Sequence, residues 1–142
     1  RMDESEVAAV AQGTQPMPGV TAQWIESLTG QKCVASNGTM RKMRASLGCS
    51  GLLKCFEPNL FSSEQVERGK PAPDLFLFAA NALNFRPDQC LVVEDSAAGI
   101  QAAVASEMPV LGLVGHLSEE KIRELGAVPI QTMACISAML SS

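Results

Sequence analysis

A doubly wound α/β domain built on a parallel sheet is the fold this sequence predicts, on three observations. Short apolar runs such as Cys33-Val34-Ala35, Leu91-Val92-Val93 and Val110-Leu111-Gly112-Leu113 lack polar alternation, as strands buried on both faces do. Segments with helical spacing of apolar residues alternate with these runs, the order that βαβ units require. The first two runs end in polar residues at a turn into a helix, and at that edge open parallel sheets bind ligands.

The N-terminal stretch Asp3 to Gln12 reads as a short helix, acidic at its start and carrying Val7, Val10 and Ala11 on one side. Gly13 to Gly19, with Pro16 and Pro18, reads as an extended linker. Val20 to Leu28 is helical, with Val20, Trp24 and Leu28 in one stripe and Gly30 as its stop. A strand over Cys33–Ala35 ends in Ser36-Asn37-Gly38, ahead of a basic helix from about Thr39 to Leu47. A second short strand is expected around Leu60 to Ser62, then a helix started by Pro73 and Asp74 that carries Leu75, Phe76, Ala79 and Leu83. The strand Leu91–Val93 runs into Glu94-Asp95-Ser96 and a helix bearing Ile100 and Val104. Pro109 to Leu113 is a further strand, Ser118 caps a helix ending before Gly126, Val128 to Ile130 is a weak strand, and Thr132 to Leu140 a closing helix. Neither an internal repeat nor a low-complexity segment appears.

A chain of 142 residues is long enough for one real core, and its net charge of -4 advertises no basic face for nucleic acid or an anionic membrane. No apolar run reaches the length of a membrane span and no leader opens the chain, so a soluble cytoplasmic protein is expected. Cysteines 33, 49, 55, 90 and 135 are odd in number and form no Cys-x-x-Cys pair, which argues against disulfide frameworks and zinc knuckles. Arg1 ahead of Met2 points to a processed product, a cloning scar or the edge of a fragment.

Four polar groups stand out, each with a plainer reading beside it. Ser36, Asn37 and Gly38 put a hydroxyl, backbone N–H groups and a helix N-terminus at the sheet edge, a phosphate-sized site, yet Ser36 or Asn37 as a simple N-cap explains the same residues. Lys70, in Gly69-Lys70-Pro71-Ala72-Pro73-Asp74, is kept extended by the following proline; it is either a fixed charge aimed into a site or a surface lysine. Glu94 and Asp95 at a strand end suit a hard cation such as Mg2+, or else Asp95 caps the helix and Glu94 is solvated. Arg41, Lys42 and Arg44 read as a solvated helix face, and His116 as an ordinary loop residue.

Taken together, Ser36 at a strand end, Lys70 in Gly-Lys-Pro-Ala-Pro-Asp, and Val93-Glu94-Asp95-Ser96-Ala97-Ala98-Gly99-Ile100 resemble the haloacid dehalogenase superfamily of phosphatases. The likeness runs from about Pro16 to Leu113 and points to the subgroup with beta-phosphoglucomutase and small sugar-phosphate phosphatases. It implies a Rossmann-like core, a small phosphorylated metabolite as substrate and Mg2+ as cofactor. Ser36 would hold the transferring phosphoryl group with Asn37 and Gly38, and Lys70 would offset its charge. Asp95 would ligate the metal, and Glu94 would bind or orient it. These roles suit phosphoryl transfer, which is mostly positioning and charge neutralisation.

The family's first motif, a strand ending in Asp-x-Asp-Gly-Thr that supplies nucleophile and acid-base, is absent. Residues 1–15 are therefore expected to be the remnant of a cap-domain helix with its linker, and residues 16–142 an incomplete core. Two classes of function remain. One is the C-terminal part of a magnesium-dependent phosphatase or phosphomutase, inactive as this chain alone; the other is a non-catalytic module that binds phosphate or protein, or assembles by strand exchange. The central strand is expected to be missing between the Cys33 and Leu91 strands. The gap would be filled first by recruitment, through a homo-oligomer or a separate N-terminal portion, second by direct pairing of the two flanking strands, or left partly disordered.

Overall fold

The computed structural model describes residues 7–10, by their backbone, together with 21, 23, 26, 30–133, 135 and 136. Its strands are β1 (Val7–Val10), β2 (Gln31–Ser36), β3 (Leu60–Ser62), β4 (Cys90–Glu94), β5 (Val110–Leu113) and β6 (Val128–Ile130). Helices α1 (Met40–Cys49), α2 (Leu53–Phe56), α3 (Asp74–Ala82), α4 (Ala97–Ala105) and α5 (Glu119–Leu125) connect them, with single turns of 3-10 helix at Ser63–Gln65 and Pro87–Gln89. The strands form one sheet in the order β3-β2-β1-β4-β5-β6, and every neighbouring pair is parallel. The order reverses at β1, so the ligand-binding crevice of such a sheet falls at the carboxyl ends of β2, β1 and β4.

Two expectations fail at the same place. Val7–Val10 is a strand, not part of a helix, and it occupies the central position that was expected to be missing. Its register runs Val7 to Gln31 on one side and Val7 to Cys90 on the other. Alanine favours a helix in isolation, but a slot bounded by two rows of unpaired N–H and C=O groups rewards a strand with two ladders of hydrogen bonds. The gap is closed by this chain's own segment, so neither recruitment nor direct pairing of β2 with β4 is seen.

Alternation along the strands divides the core. Cys33, Ala35, Phe61, Val92 and Val110 face one side, with Leu75, Phe76, Ile100 and Ile122 from the helices packed there. Val34, Val93, Leu111 and Leu113 face the other, against Met43, Leu47, Phe56, Met133 and Ile136. Both faces are thus covered, as the continuous apolar strands require.

Local sequence accounts for the helix ends. Thr39 accepts from the Lys42 N–H, Ser96 from the Gly99 N–H and Ser118 from the Lys121 N–H, each an N-cap. Gly126 ends α5 in the left-handed region, at φ 102°. The expected linker over residues 13–19 lies outside the described residues, as do most of the helices expected over 20–28 and 132–140. No described helix is long and apolar enough to cross a membrane.

Candidate active site

β2 delivers Ser36 and the turn Asn37-Gly38 to the sheet edge, and β4 delivers Glu94 and Asp95 two strands away. The loop between β3 and α3 brings Lys70 across to meet them. These six residues line one cavity of about 570 Å³, shared with Lys42, Met43, Ala45, Ser46 and Leu47 from α1 and with Ser96 and Ala98 from the start of α4. Such a volume lies within the ordinary range of small-molecule sites.

The base of the cavity is a buried ion pair. Lys70 Nζ donates to Glu94 Oε2 at 2.6 Å and to the Ala35 carbonyl at 2.9 Å, and lies 5.0 Å from the centre of the Phe76 ring. Both side chains are almost fully buried, with 7% of Lys70 and 2% of Glu94 exposed. The Ser96 hydroxyl donates to Glu94 Oε1 at 3.1 Å. Burial pushes the Glu94 carboxyl above its ordinary value, while Lys70 and Ser96 pull it down. The surface-lysine and solvated-glutamate readings both fall, because each group sits where only the other can balance it.

Lys70 is placed through its main chain. The Asn37 carboxamide accepts from the Lys70 N–H at 2.8 Å and donates to the Lys70 C=O at 3.0 Å. Ser63 Oγ donates to the Asn37 carbonyl and Ser62 Oγ to the Gly38 carbonyl, both at 2.7 Å, which locks the β2–α1 turn to β3. The Asn37 side chain is thereby spent on positioning. The Gly38 amide, expected to receive phosphate, is engaged as well, its N–H donating to Ser36 Oγ, and at the start of α1 the Met40 N–H donates to the Glu64 carboxylate.

Asp95 is half-buried on the cavity wall and, with Glu94, is the only carboxylate lining it among the described residues. No group of three or more His, Cys, Asp or Glu side chains stands together among the described residues. Since Glu94 is bound to Lys70, the donors present form no closed cage; they fit a cation held by Asp95 and completed by water and a ligand's phosphate. His116 is exposed and does not line the cavity. Lys42 is exposed, in keeping with the solvated-face reading, and also lines the cavity; it lies one turn from Ser46 on α1.

Residues 3–106 match the haloacid dehalogenase-like hydrolase family. The chain belongs to that family. It is 38% identical over 86 residues to 6-phosphogluconate phosphatase of Escherichia coli (strain K12), covering 61% of this chain and 39% of that one. It is 32% identical over 96 residues to hexitol phosphatase A of the same organism, covering 67% and 43%. The chain thus spans about two fifths of the length of these curated relatives. Among solved structures, a HAD family hydrolase from Deinococcus radiodurans with bound phosphate and sodium superposes with a TM-score of 0.76 at 28% identity, covering 84% of this chain and 56% of that one.

Proposed function

We propose that this chain is the C-terminal part of a phosphatase core, binding the phosphate of a small phosphorylated metabolite of the sugar-phosphate kind. The convergence of Ser36, Lys70, Glu94 and Asp95 on one cavity at the crevice of the sheet carries the reading. Ser36 takes a phosphoryl oxygen by hydrogen bonding, and Lys70 presents its charge from a fixed position. One lysine and two carboxylates leave the base negative, so a phosphate enters with a cation. Asp95 would hold that ion, taken as magnesium, with Glu94 orienting it; bound there, it neutralises phosphoryl charge. The relatives named for sugar-phosphate hydrolysis support this class of substrate. Five free cysteines and a mildly acidic composition support a reducing compartment, taken as the cytoplasm, and a metabolite partner ahead of nucleic acid or membrane.

A second reading, binding without turnover, is favoured by the residues on the C-terminal side of the central strand. After Val10 the sequence continues Ala11-Gln12-Gly13-Thr14, with no carboxylate where this family's nucleophile is expected. Positioning alone does not replace a covalent nucleophile. Calorimetry with inorganic phosphate, with and without magnesium, tests both readings. Binding should be strengthened by the ion, the strengthening should vanish in Asp95→Asn, and an aryl phosphate should not be hydrolysed. Phosphate affinity indifferent to both magnesium and Asp95→Asn would overturn the site; turnover abolished by Asp95→Asn would overturn binding without turnover.

A further inference from the structure

The cavity is far larger than a phosphate group, and its second cation is unexplained by phosphate binding at the base. Lys42 lines the wall formed by α1, one turn before Ser46, on the same face of that helix. The same lining includes the small or apolar Gly38, Ala45, Leu47 and Ala98 and the hydroxyls of Ser46 and Ser96. The other cations near the site have partners: Lys70 pairs with Glu94, and Arg44 with Glu57 on the outer side of α1. Among the described residues the Lys42 ammonium group has no acid partner.

Its position also runs against local electrostatics. Lys42 stands in the first turn of α1, where its own N–H donates to the Thr39 hydroxyl, and that turn contains Arg41 but no acid. A helix N-terminus carries partial positive charge, so cations there are unfavourable. One anion is present, the Glu64 carboxylate, but it is bound to the Met40 N–H and does not line the cavity. Where a sequence breaks a local rule, the compensation is expected at a functional site.

We infer that Lys42 forms a second anion subsite, and that the ligand is a phosphate ester bearing another anionic group, a carboxylate or a second phosphate, on its far side. The inference rests on the phosphate-binding reading above and adds to it the substrate class. The phosphate lies at the base with Ser36 and Lys70, the carbon chain runs past Ala45 and Ala98, and the distal anion meets the Lys42 ammonium group.

Titration calorimetry on the full chain with magnesium tests this, using inorganic phosphate, sorbitol 6-phosphate, 6-phosphogluconate and fructose 1,6-bisphosphate as probes. Sorbitol 6-phosphate has a neutral tail, while the last two carry a distal carboxylate and a distal phosphate. At least one of these two should bind about tenfold tighter than the neutral-tailed probe, in keeping with a charge-assisted hydrogen bond, and which one identifies the anion. Lys42→Gln should erase that preference and Lys42→Arg should restore most of it. Circular dichroism should show both variants folded. Phosphate binding with no preference for a distal anion, or a Lys42→Gln effect equal on all four probes, would overturn the inference while leaving the phosphate site standing. If no probe binds the parent chain, both fall.

Discussion

Gly99 packs against the carboxyl group of Glu94 so closely that a β-carbon at position 99 would overlap it. α4 can therefore approach β4 and the Glu94 carboxyl only because residue 99 has no side chain. Gly99→Ala should cost roughly 1–3 kcal/mol, as overpacking does, even though alanine is the better helix former. Urea denaturation measures it. In a Glu94→Ala background the overlap is gone, so the same change should be neutral or stabilising. Equal costs in both backgrounds would show that Gly99 does not act through Glu94.

The buried pair itself should behave as a unit. Lys70→Met leaves a buried carboxylate and Glu94→Gln a buried ammonium group, so each should destabilise by about 3–5 kcal/mol, while the double variant should cost clearly less than the sum. Chemical denaturation of the four proteins supplies the cycle. Glu94 also titrates. Because burial raises its folded value above the ordinary 4.5, in the window just above that pH the folded state keeps a proton that the unfolded chain has lost, and the ion pair is complete only above the window. Its contribution to stability is present below pH 4.5 and declines as pH rises through the raised value; Glu94→Gln should flatten that part of the profile.

Ser36, Lys70, Glu94 and Asp95 were legible because chemistry and local grammar coincide there: proline after Lys70, two acids at the end of an apolar run, and capping residues opening the next helix. The strands β2 to β6 were legible for the same reason, since a strand buried on both faces shows itself without its neighbours. Val7–Val10 was not, because Val-Ala-Ala-Val fits a helix as well as a strand, and only the slot between β2 and β4 decides. The duty of Asn37 was hidden too. Its partners are the backbone atoms of Lys70, thirty-three residues away, and no side-chain pattern encodes backbone atoms.

That clamp makes a prediction of its own. Asn37→Ala removes one acceptor and one donor from an exposed turn, which should cost about 1 kcal/mol of stability, because water replaces part of both bonds. The larger effect should be local: the Lys70 amide should lose hydrogen-exchange protection, and phosphate affinity should fall although the Asn37 side chain is not aimed at phosphate. Asn37→Asp keeps the acceptor for the Lys70 N–H but sets a carboxylate oxygen against the Lys70 carbonyl, so it should rescue neither property. Unchanged Lys70 exchange in Asn37→Ala would remove the positioning role.

The cysteines offer a test of the sheet that is independent of any ligand. Cys33 lies in β2 next to β1, and burial pushes its thiol up to about 12; Cys90 opens β4 on the other side of β1, and burial pushes it up to about 11. Cys49 and Cys135 are exposed. Because thiolates, not thiols, react with disulfide reagents, Cys49 and Cys135 should be labelled within minutes at pH 8, while Cys33 and Cys90 should react only as fast as the sheet opens. Linkage gives the pH dependence. Above pH 9, the ordinary value, an unfolded chain ionises Cys33 while the folded chain keeps it neutral. Stability should therefore fall as pH rises from 9 towards about 12. Cys33→Ala should lessen that fall at the cost of a small cavity. If β1 occupies the centre of the sheet, disrupting it with Ala9→Pro should speed labelling of Cys33 and Cys90 together, since the β1 ladders to both neighbours are lost at once. Accelerated labelling of one cysteine without the other would show that the two flanking strands do not depend on a shared central strand.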